Sequence, residues 1–340
     1  MPEDLPGRTA FCAAIPATLR ADCAADIAAS HMQFRRTLPA LKALMPSAAA
    51  IETGRIDFMI DTGQACDIDS HDHFFRIRRS RTGAAPALLA SQIQTLQILK
   101  TEVTAGPVTV PAERIVAMAD AIRAAIAFLV GTQATTPTEL TFRSVTEGDP
   151  PAERAMQRWV RGHQIFAGLC QSLVVALGAL ESAVQDQDDA TVDSAGTLVA
   201  SLLSASATAL ELTGDFPEAR YNAGIRVAMD APYFPTGFSG VLSRDHRQLV
   251  SRMKMMRPAI ESLGRRHPAL HASIGAALSS VYASHKHVCA RFVEPRSTSL
   301  LMAATAERPA TEQIDRFRAM RLRAWDVSAE HPGVSGSSSE

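Results

Sequence analysis

Two residues stand out for chemistry, His285 and Cys289. They lie four positions apart in Tyr282-Ala-Ser-His-Lys-His-Val-Cys-Ala-Arg-Phe292, so on a helix both project to one side, one turn apart. An imidazole and a soft thiol on one face suit a metal or a haem. Leu270, Ile274, Ala277, Val281, Val288 and Phe292 recur at helical steps and define a buried stripe. His285 falls inside that stripe, Cys289 adjoins it, and His287, turned about 200° from His285, faces away. A buried imidazole without a partner costs about 1–3 kcal/mol, and coordination satisfies one nitrogen while an acceptor holds the other. Cys289 is too close in direction to be a second ligand to an iron that His285 binds axially. It is suited to reach the edge of a planar macrocycle, where adding to a vinyl group gives one thioether. Three readings stay open on the residues alone. These are a core His and Cys with no ligand, a zinc or other metal site with distant ligands, and a haem site.

Other candidates are weaker. Asp67-Ile-Asp-Ser-His-Asp-His73 holds two histidines and three aspartates that could ligate a divalent metal or form a solvated loop. On a strand His71 and His73 would share a face. His31 and His163 read as packing or surface histidines, although His163 could reach a buried cofactor. Residues 215–245 gather Tyr221, Tyr233, Phe234 and Phe238 among prolines and glycines, a composition that suits a pocket-lining loop.

Helices must position these groups. Helical patterns run from Arg20 to about Leu44, with a break expected before Pro39, and then over 86–104, 111–130, 151–184, 191–212, 245–257, 268–293 and 308–326. Arg55-Ile-Asp-Phe-Met-Ile-Asp61 and His73-Phe-Phe-Arg-Ile-Arg78 alternate, which predicts at most a small β-hairpin near 54–82. A short strand is expected at 139–143. The fold class is thus mainly α, a single helical-bundle domain over 1–330 with a flexible Gly/Ser-rich tail at 331–340. Bundles commonly hold cofactors between their helices.

Composition narrows the function. The 340 residues are 46% hydrophobic and 20% charged, with a net charge of -1, which leaves no electrostatic footprint for nucleic acid. Five scattered cysteines and no CxxC pair speak against a disulfide framework and against CxxCH haem attachment. The N-terminus lacks a signal-peptide pattern. The most apolar stretch, Ile165 to Leu180, is interrupted by Gln171 and Ser172 and is short for a membrane span. A cytoplasmic protein with no membrane partner is expected.

His285-Lys-His-Val-Cys289, with His246 about 40 residues upstream, forms an H-x(n)-HxxxC pattern. In this the chain resembles the histidine-ligated haem-dependent aromatic oxygenases, most of all the 3-methyl-L-tyrosine hydroxylases of saframycin-type antibiotic biosynthesis. That group is related in fold to tryptophan 2,3-dioxygenase. The resemblance covers roughly 215–293. It implies that His285 is the proximal iron ligand, that Cys289 makes a single thioether to a c-type haem, and that His246 is the acid–base residue on the active side. It implies hydroxylation of 3-methyl-L-tyrosine to 3-hydroxy-5-methyl-L-tyrosine, with hydrogen peroxide as cosubstrate. A zwitterionic phenol needs a cation for its carboxylate and apolar walls, for which Arg220, Tyr221, Asn222, Arg226, Tyr233 and Phe238 are candidates. Arg244, Arg247, Arg252 and Arg291 are candidates for haem propionates. A tyrosine hydroxylase, an indole or tryptophan dioxygenase and a non-enzymatic helical binding protein are the competing readings. A homo-oligomer is compatible with all of them.

Overall fold

The computed structural model describes residues 13–29, 33–44, 67–77, 79, 83–134, 136–143, 152–229, 243–292 and 309–325. All regular structure among them is helical. The helices are α1 Ala17–Ala28, α2 Thr37–Leu44, α3 Asp67–Phe74, α4 Ala84–Ala105, α5 Ala112–Val130, α6 Ala152–Asp186, α7 Asp189–Thr213, α8 Arg244–Met255, α9 Arg257–Arg266, α10 Pro268–Phe292 and α11 Ala310–Leu322. Between α7 and α8 lie three short pieces, Glu218–Arg220, a π-helical turn Tyr221–Ile225, and Arg226–Ala228.

The centre is α7. Its small residues, Ala195, Gly196, Ala205, Ser206, Ala207 and Ala209, are buried and let neighbours approach closely. α5, α6 and α10 pack along it; α4 and α8 lie on α6, and α9 and α11 on α10. α6 and α10, both seated on α7, meet through their side chains, with the Trp159 ring 6.5 Å from that of Phe292. One apolar core runs continuously from Ile15 to Trp325, and a second cluster of Phe75, Trp159, Phe216, Tyr221, Val288 and Phe292 adjoins it. α6 and α7 are long and apolar enough to cross a membrane. Yet 78% and 67% of their most apolar windows are buried inside the molecule, so their apolar surface is used in packing against other helices.

Local chemistry sets the helix ends. Asp188 caps α7 by accepting from Thr191 N–H at 3.1 Å, and Ser243 caps α8 by accepting from His246 N–H at 3.4 Å. Gly131 ends α5 at φ 75°, its N–H bonded to Ala127 O, the left-handed geometry glycine adopts without strain. Buried arginines tie segments together. Arg123 donates to Ile27 O at 2.6 Å and to Thr138 Oγ1 at 3.0 Å. Glu102 accepts from Arg154 at 2.9 Å, Arg158 at 2.8 Å and Arg161 at 3.1 Å.

Several sequence expectations need correction. The second arm of the expected hairpin is not a strand. Residues 67–74 form α3, closed by Arg76 at φ 54°, with Ile77 N–H on Asp72 O at 2.7 Å and Arg76 N–H on His73 O at 3.0 Å. This is a Schellman stop, so the alternation of 73–78 reflects a helix end and the turn after it. His71 and His73 therefore do not share a face; His71 is buried and His73 exposed. The first arm, 55–61, and His31 lie outside the described residues. The N-terminal helical run breaks after Ala28, and Pro39 sits in the first turn of α2, where a missing N–H costs nothing. Residues 139–143 are irregular, with no strand ladder among the described residues. α9 was not distinguished in the sequence, because Arg257-Pro258 reads as a helix end while proline is equally at home in the first turn of a new helix.

Candidate functional site

α10 carries the HxxxC pair. Its buried residues are His271, Ile274, Ala277, Leu278, Tyr282, Ser284, Val288 and Phe292. On a helical wheel these centre close to the direction of His285. Yet His285 itself is exposed, while enough protein surrounds it that burial, and then nearby Arg321, hold its pKa below the ordinary imidazole value. The ring is thus exposed on one side and flanked by protein on the other. Its influence on His163 puts it on the side of α10 that faces α6, and the open ground beside these two rings is the candidate recess. The expectation of a histidine packed within the stripe is thus corrected, since His285 is centred on the buried face but not covered by it. His287 is exposed, as phased.

Cys289 is half-buried, and burial pushes its thiol up to about 11. It is therefore a neutral thiol near pH 7 and sits close enough to Tyr221 to influence it electrostatically; burial raises the Tyr221 phenol to about 12. The π-turn Tyr221–Ile225 brings Tyr221 onto Phe292, stacked at 4.6 Å, and onto Trp159 at 5.6 Å. π-turns recur at functional sites because they re-aim a side chain within a helix.

α6 forms the opposite wall. His163 stacks on Phe75 with centroids 3.9 Å apart and planes within 10°, lies 4.6 Å from Trp159, and places Nδ1 2.8 Å from Trp159 O. Burial first, and then His71 and His285, lower its pKa to about 3. His163 thus brings the influences of α3 and α10 to one place. Phe166, one turn further along α6, lies 6.1 Å from the ring of His246, which is half-buried in the first turn of α8. His71, 4.8 Å from Phe75, is the fourth histidine on this side of α6. The Trp159 Nε1, buried in the aromatic cluster, has no hydrogen-bond partner.

Behind these histidines lies a buried ionic group. The guanidinium of Arg79 bridges Asp72 and Asp245, with contacts of 2.8 Å on each side. Burial alone would raise the Asp72 carboxyl, but His71 and Arg79 outweigh it and bring it down to about 2.

The substrate candidates separate. Tyr221 lines the site. Arg220 and Arg226 are half-buried on the same short helical pieces, and the buried Nε of Arg220 has no partner. Asn222 is exposed and donates to Glu218 at 3.3 Å, away from the aromatic cluster. Tyr233 and Phe238 lie outside the described residues. Among the propionate candidates, Arg252 pairs with Glu181 at 3.0 Å and Arg291 donates to Gly214 O and Phe216 O; Arg244 is half-buried and Arg247 exposed. Sequence reasoning missed Phe75, Trp159, Arg79 and Arg321. Of these Trp159 alone left a trace, four residues before His163 on the same face.

A separate small cleft lies between α4 and α6, lined by Arg76, Gln94, Gln164 and Gln171 among others. Gln164 and Gln171 lie about 80–100° around α6 from His163, so this is not the recess. No group of three or more His, Cys, Asp or Glu able to hold a bare metal ion occurs among the described residues. The donor set at the recess is an imidazole with a thiol one turn away, among aromatic walls. That set fits a haem, whose macrocycle supplies four of the iron's ligands itself.

Fold and site define a helical-bundle protein with an exposed histidine and a half-buried cysteine one turn apart, beside a cluster of aromatic and histidine side chains. The chain belongs to the SfmD 3-methyl-L-tyrosine peroxygenase family, whose model matches residues 1–272. That match includes His246 and ends before His285 and Cys289. The chain is similar to the 3-methyl-L-tyrosine peroxygenase of Streptomyces lavendulae, 34% identical over 177 residues, which are 52% of this chain and 48% of that protein. It thus aligns with about half the length of that curated relative. The crystal structure of reduced SfmD, obtained by soaking with sodium hydrosulfite, superimposes with a TM-score of 0.64 at 25% identity, covering 86% of this chain and 96% of that one.

Proposed function

We propose that this protein is a haem-dependent peroxygenase that hydroxylates 3-methyl-L-tyrosine to 3-hydroxy-5-methyl-L-tyrosine with hydrogen peroxide. The carrying observation is His285, centred on the buried face of α10 yet exposed, with Cys289 one turn on. The names of the family and of the relative supply the substrate, and the reduced state of the solved relative fits a redox-active group. The protein acts in the cytoplasm, on a small aromatic amino acid.

His285 would hold the iron and Cys289 would tether the macrocycle edge through one thioether, making the haem c-type without CxxCH. The haem, when bound, supplies the two-electron oxidation in which the ring gains one oxygen from peroxide and the second peroxide oxygen leaves as water. The chain does the rest. Desolvation by the protein around His285, and then Arg321, disfavour protonation of the imidazole, so a neutral nitrogen is available for coordination. Trp159, Phe75, Tyr221 and Phe292 make an apolar aromatic wall that excludes water. His246, half-buried beside Phe166, moves a proton between peroxide and the ring. Arg220 or Arg226 anchors the substrate carboxylate.

The test is direct. Protein purified from haem-replete cells should show a Soret band and keep its haem on a denaturing gel. It should convert 3-methyl-L-tyrosine, with peroxide, to a product one oxygen heavier. His285→Ala should lose the Soret band. Cys289→Ala should keep it in native protein and release the haem on denaturation. His246→Ala should keep the tethered haem and lose about 10²–10⁴-fold in turnover. Absence of a Soret band in the parent protein, also after addition of hemin, would sink the proposal; faster turnover of tryptophan or tyrosine would replace its substrate.

A further inference from the structure

The Arg79 group lies outside the recess and is used by no step above. Arg79 donates Nε and Nη2 to the two oxygens of Asp72, and Nη1 and Nη2 to the two oxygens of Asp245, all at 2.8 Å. The three residues are 7%, 0% and 1% exposed. Gln171 of α6 adds a bond to Asp245 at 3.3 Å and is itself held by Ser91 of α4 at 2.8 Å. Three buried charges are a poor route to stability, because well-packed apolar residues would serve as well or better. What a doubly bidentate guanidinium supplies is fixed geometry, since its planar fork meets a carboxylate in one orientation.

The two carboxylates sit at telling positions. Asp72 follows His71 directly, and Asp245 precedes His246 directly. α3 and α8, which carry these pairs, do not pack along each other; Arg79 bridges them. We propose that Arg79 is the positioning residue of this site, clamping the backbone beside His71 and beside His246 so that both rings are held against the α6 face that bears His163 and Phe166. Arg79 acts through the two aspartates and touches no reacting atom. The consequence for chemistry on the open side of the haem rests on the haem reading; the clamp itself does not.

The experiment compares parent, Arg79→Gln and Arg79→Lys, with Arg123→Met as a control that removes another buried arginine remote from the recess. In apo-protein labelled at histidine, with His71 and His246 resonances assigned through His71→Gln and His246→Gln, both ring signals should move in Arg79→Gln and stay in place in Arg123→Met. In haem-loaded protein, Arg79→Gln should keep its Soret band, change its ferric electron-paramagnetic spectrum and shift cyanide affinity by tenfold or more. Arg79→Lys keeps the charge without the fork and should fall between the two; if Arg79→Gln fails to fold, Arg79→Lys carries the comparison. Unmoved ring signals in a folded Arg79 variant would overturn the proposal, as would an unchanged ferric spectrum and cyanide affinity with a lowered melting temperature alone. A parent protein that binds no haem would defeat the haem reading, while the apo-protein spectra still decide the clamp.

Discussion

At the scale of single residues, the site is governed by how its imidazoles are desolvated. His163 is held neutral, with its pKa brought down from 6.5 to about 3 by burial and by the neighbouring His71 and His285. Its contribution to stability follows from proton linkage. Above pH 6.5 neither the folded nor the unfolded chain protonates this ring, and its full contribution is present. Below 6.5 the unfolded chain takes up a proton that the folded one refuses, so stability is lost as pH falls towards 3, by at most about 1.4 kcal/mol per pH unit. His163→Phe keeps the stack on Phe75 and removes the titration. Urea melts of the apo-protein from pH 7 to 3.5 should therefore show a shallower acid decline in the variant, and parallel curves would refute the assignment. Cys289 shows the opposite sign. Its thiol is pushed up to about 11, so alkylation of the apo-protein by iodoacetamide at Cys289 should stay slow at pH 8 and accelerate as pH approaches 11. Rapid labelling at pH 8, read by peptide mass spectrometry, would show that the thiol is not desolvated.

At the scale of elements, close approach replaces side-chain bulk at two points on α6. A methyl group at Gly162 would lie 2.0 Å from Thr213 Oγ1 and 2.8 Å from Thr213 Cα; one at Gly168 would lie 2.0 Å from Thr95 Oγ1. Backbone cannot rotate aside as a hydroxyl can, so Gly162→Ala should cost more than Gly168→Ala, within the range of about 1–3 kcal/mol for overpacking. Equal melting temperatures would contradict this. The same distinction between local and distant causes explains what the sequence reveals. The helices α4 to α8 and α10 are legible because their periodicity and caps are local, while α9 is hidden behind Pro258; His285 is legible as the centre of the α10 stripe for the same reason. Its exposure is not legible, because it depends on how distant segments pack around α10. α3 was misread because a Schellman stop held by a left-handed Arg76 looks, in sequence, like β alternation. The partnership of Arg79 with Asp245 leaves no local signal at all.

At the scale of the molecule, α11 and Trp325 brace the helix that carries His285. Trp325, 7% exposed, lies 5.1 Å from the ring of buried His271. On α11, Arg321 bonds the Tyr282 hydroxyl and lies 5.6 Å from the Tyr282 ring. Asp315 pairs with Lys286 on α10. Trp325→Ala should cost about 3–5 kcal/mol and should also loosen the helix that carries His285. A lowered melting temperature together with weaker hemin retention in the Cys289→Ala background, where no covalent tether masks dissociation, is the expected pair of results. A lower melting temperature with unchanged retention would separate α11 from the site.

The Arg79–Asp245 bridge also has a meaning in time. Its two ends are separated by 166 positions in the chain. At about 5–20 residues per second on the ribosome, α3 and its arginine wait roughly ten to thirty seconds for the carboxylate that completes the clamp, and α10 emerges later still. On the proposed function, haem capture is therefore a late event in the life of the nascent chain.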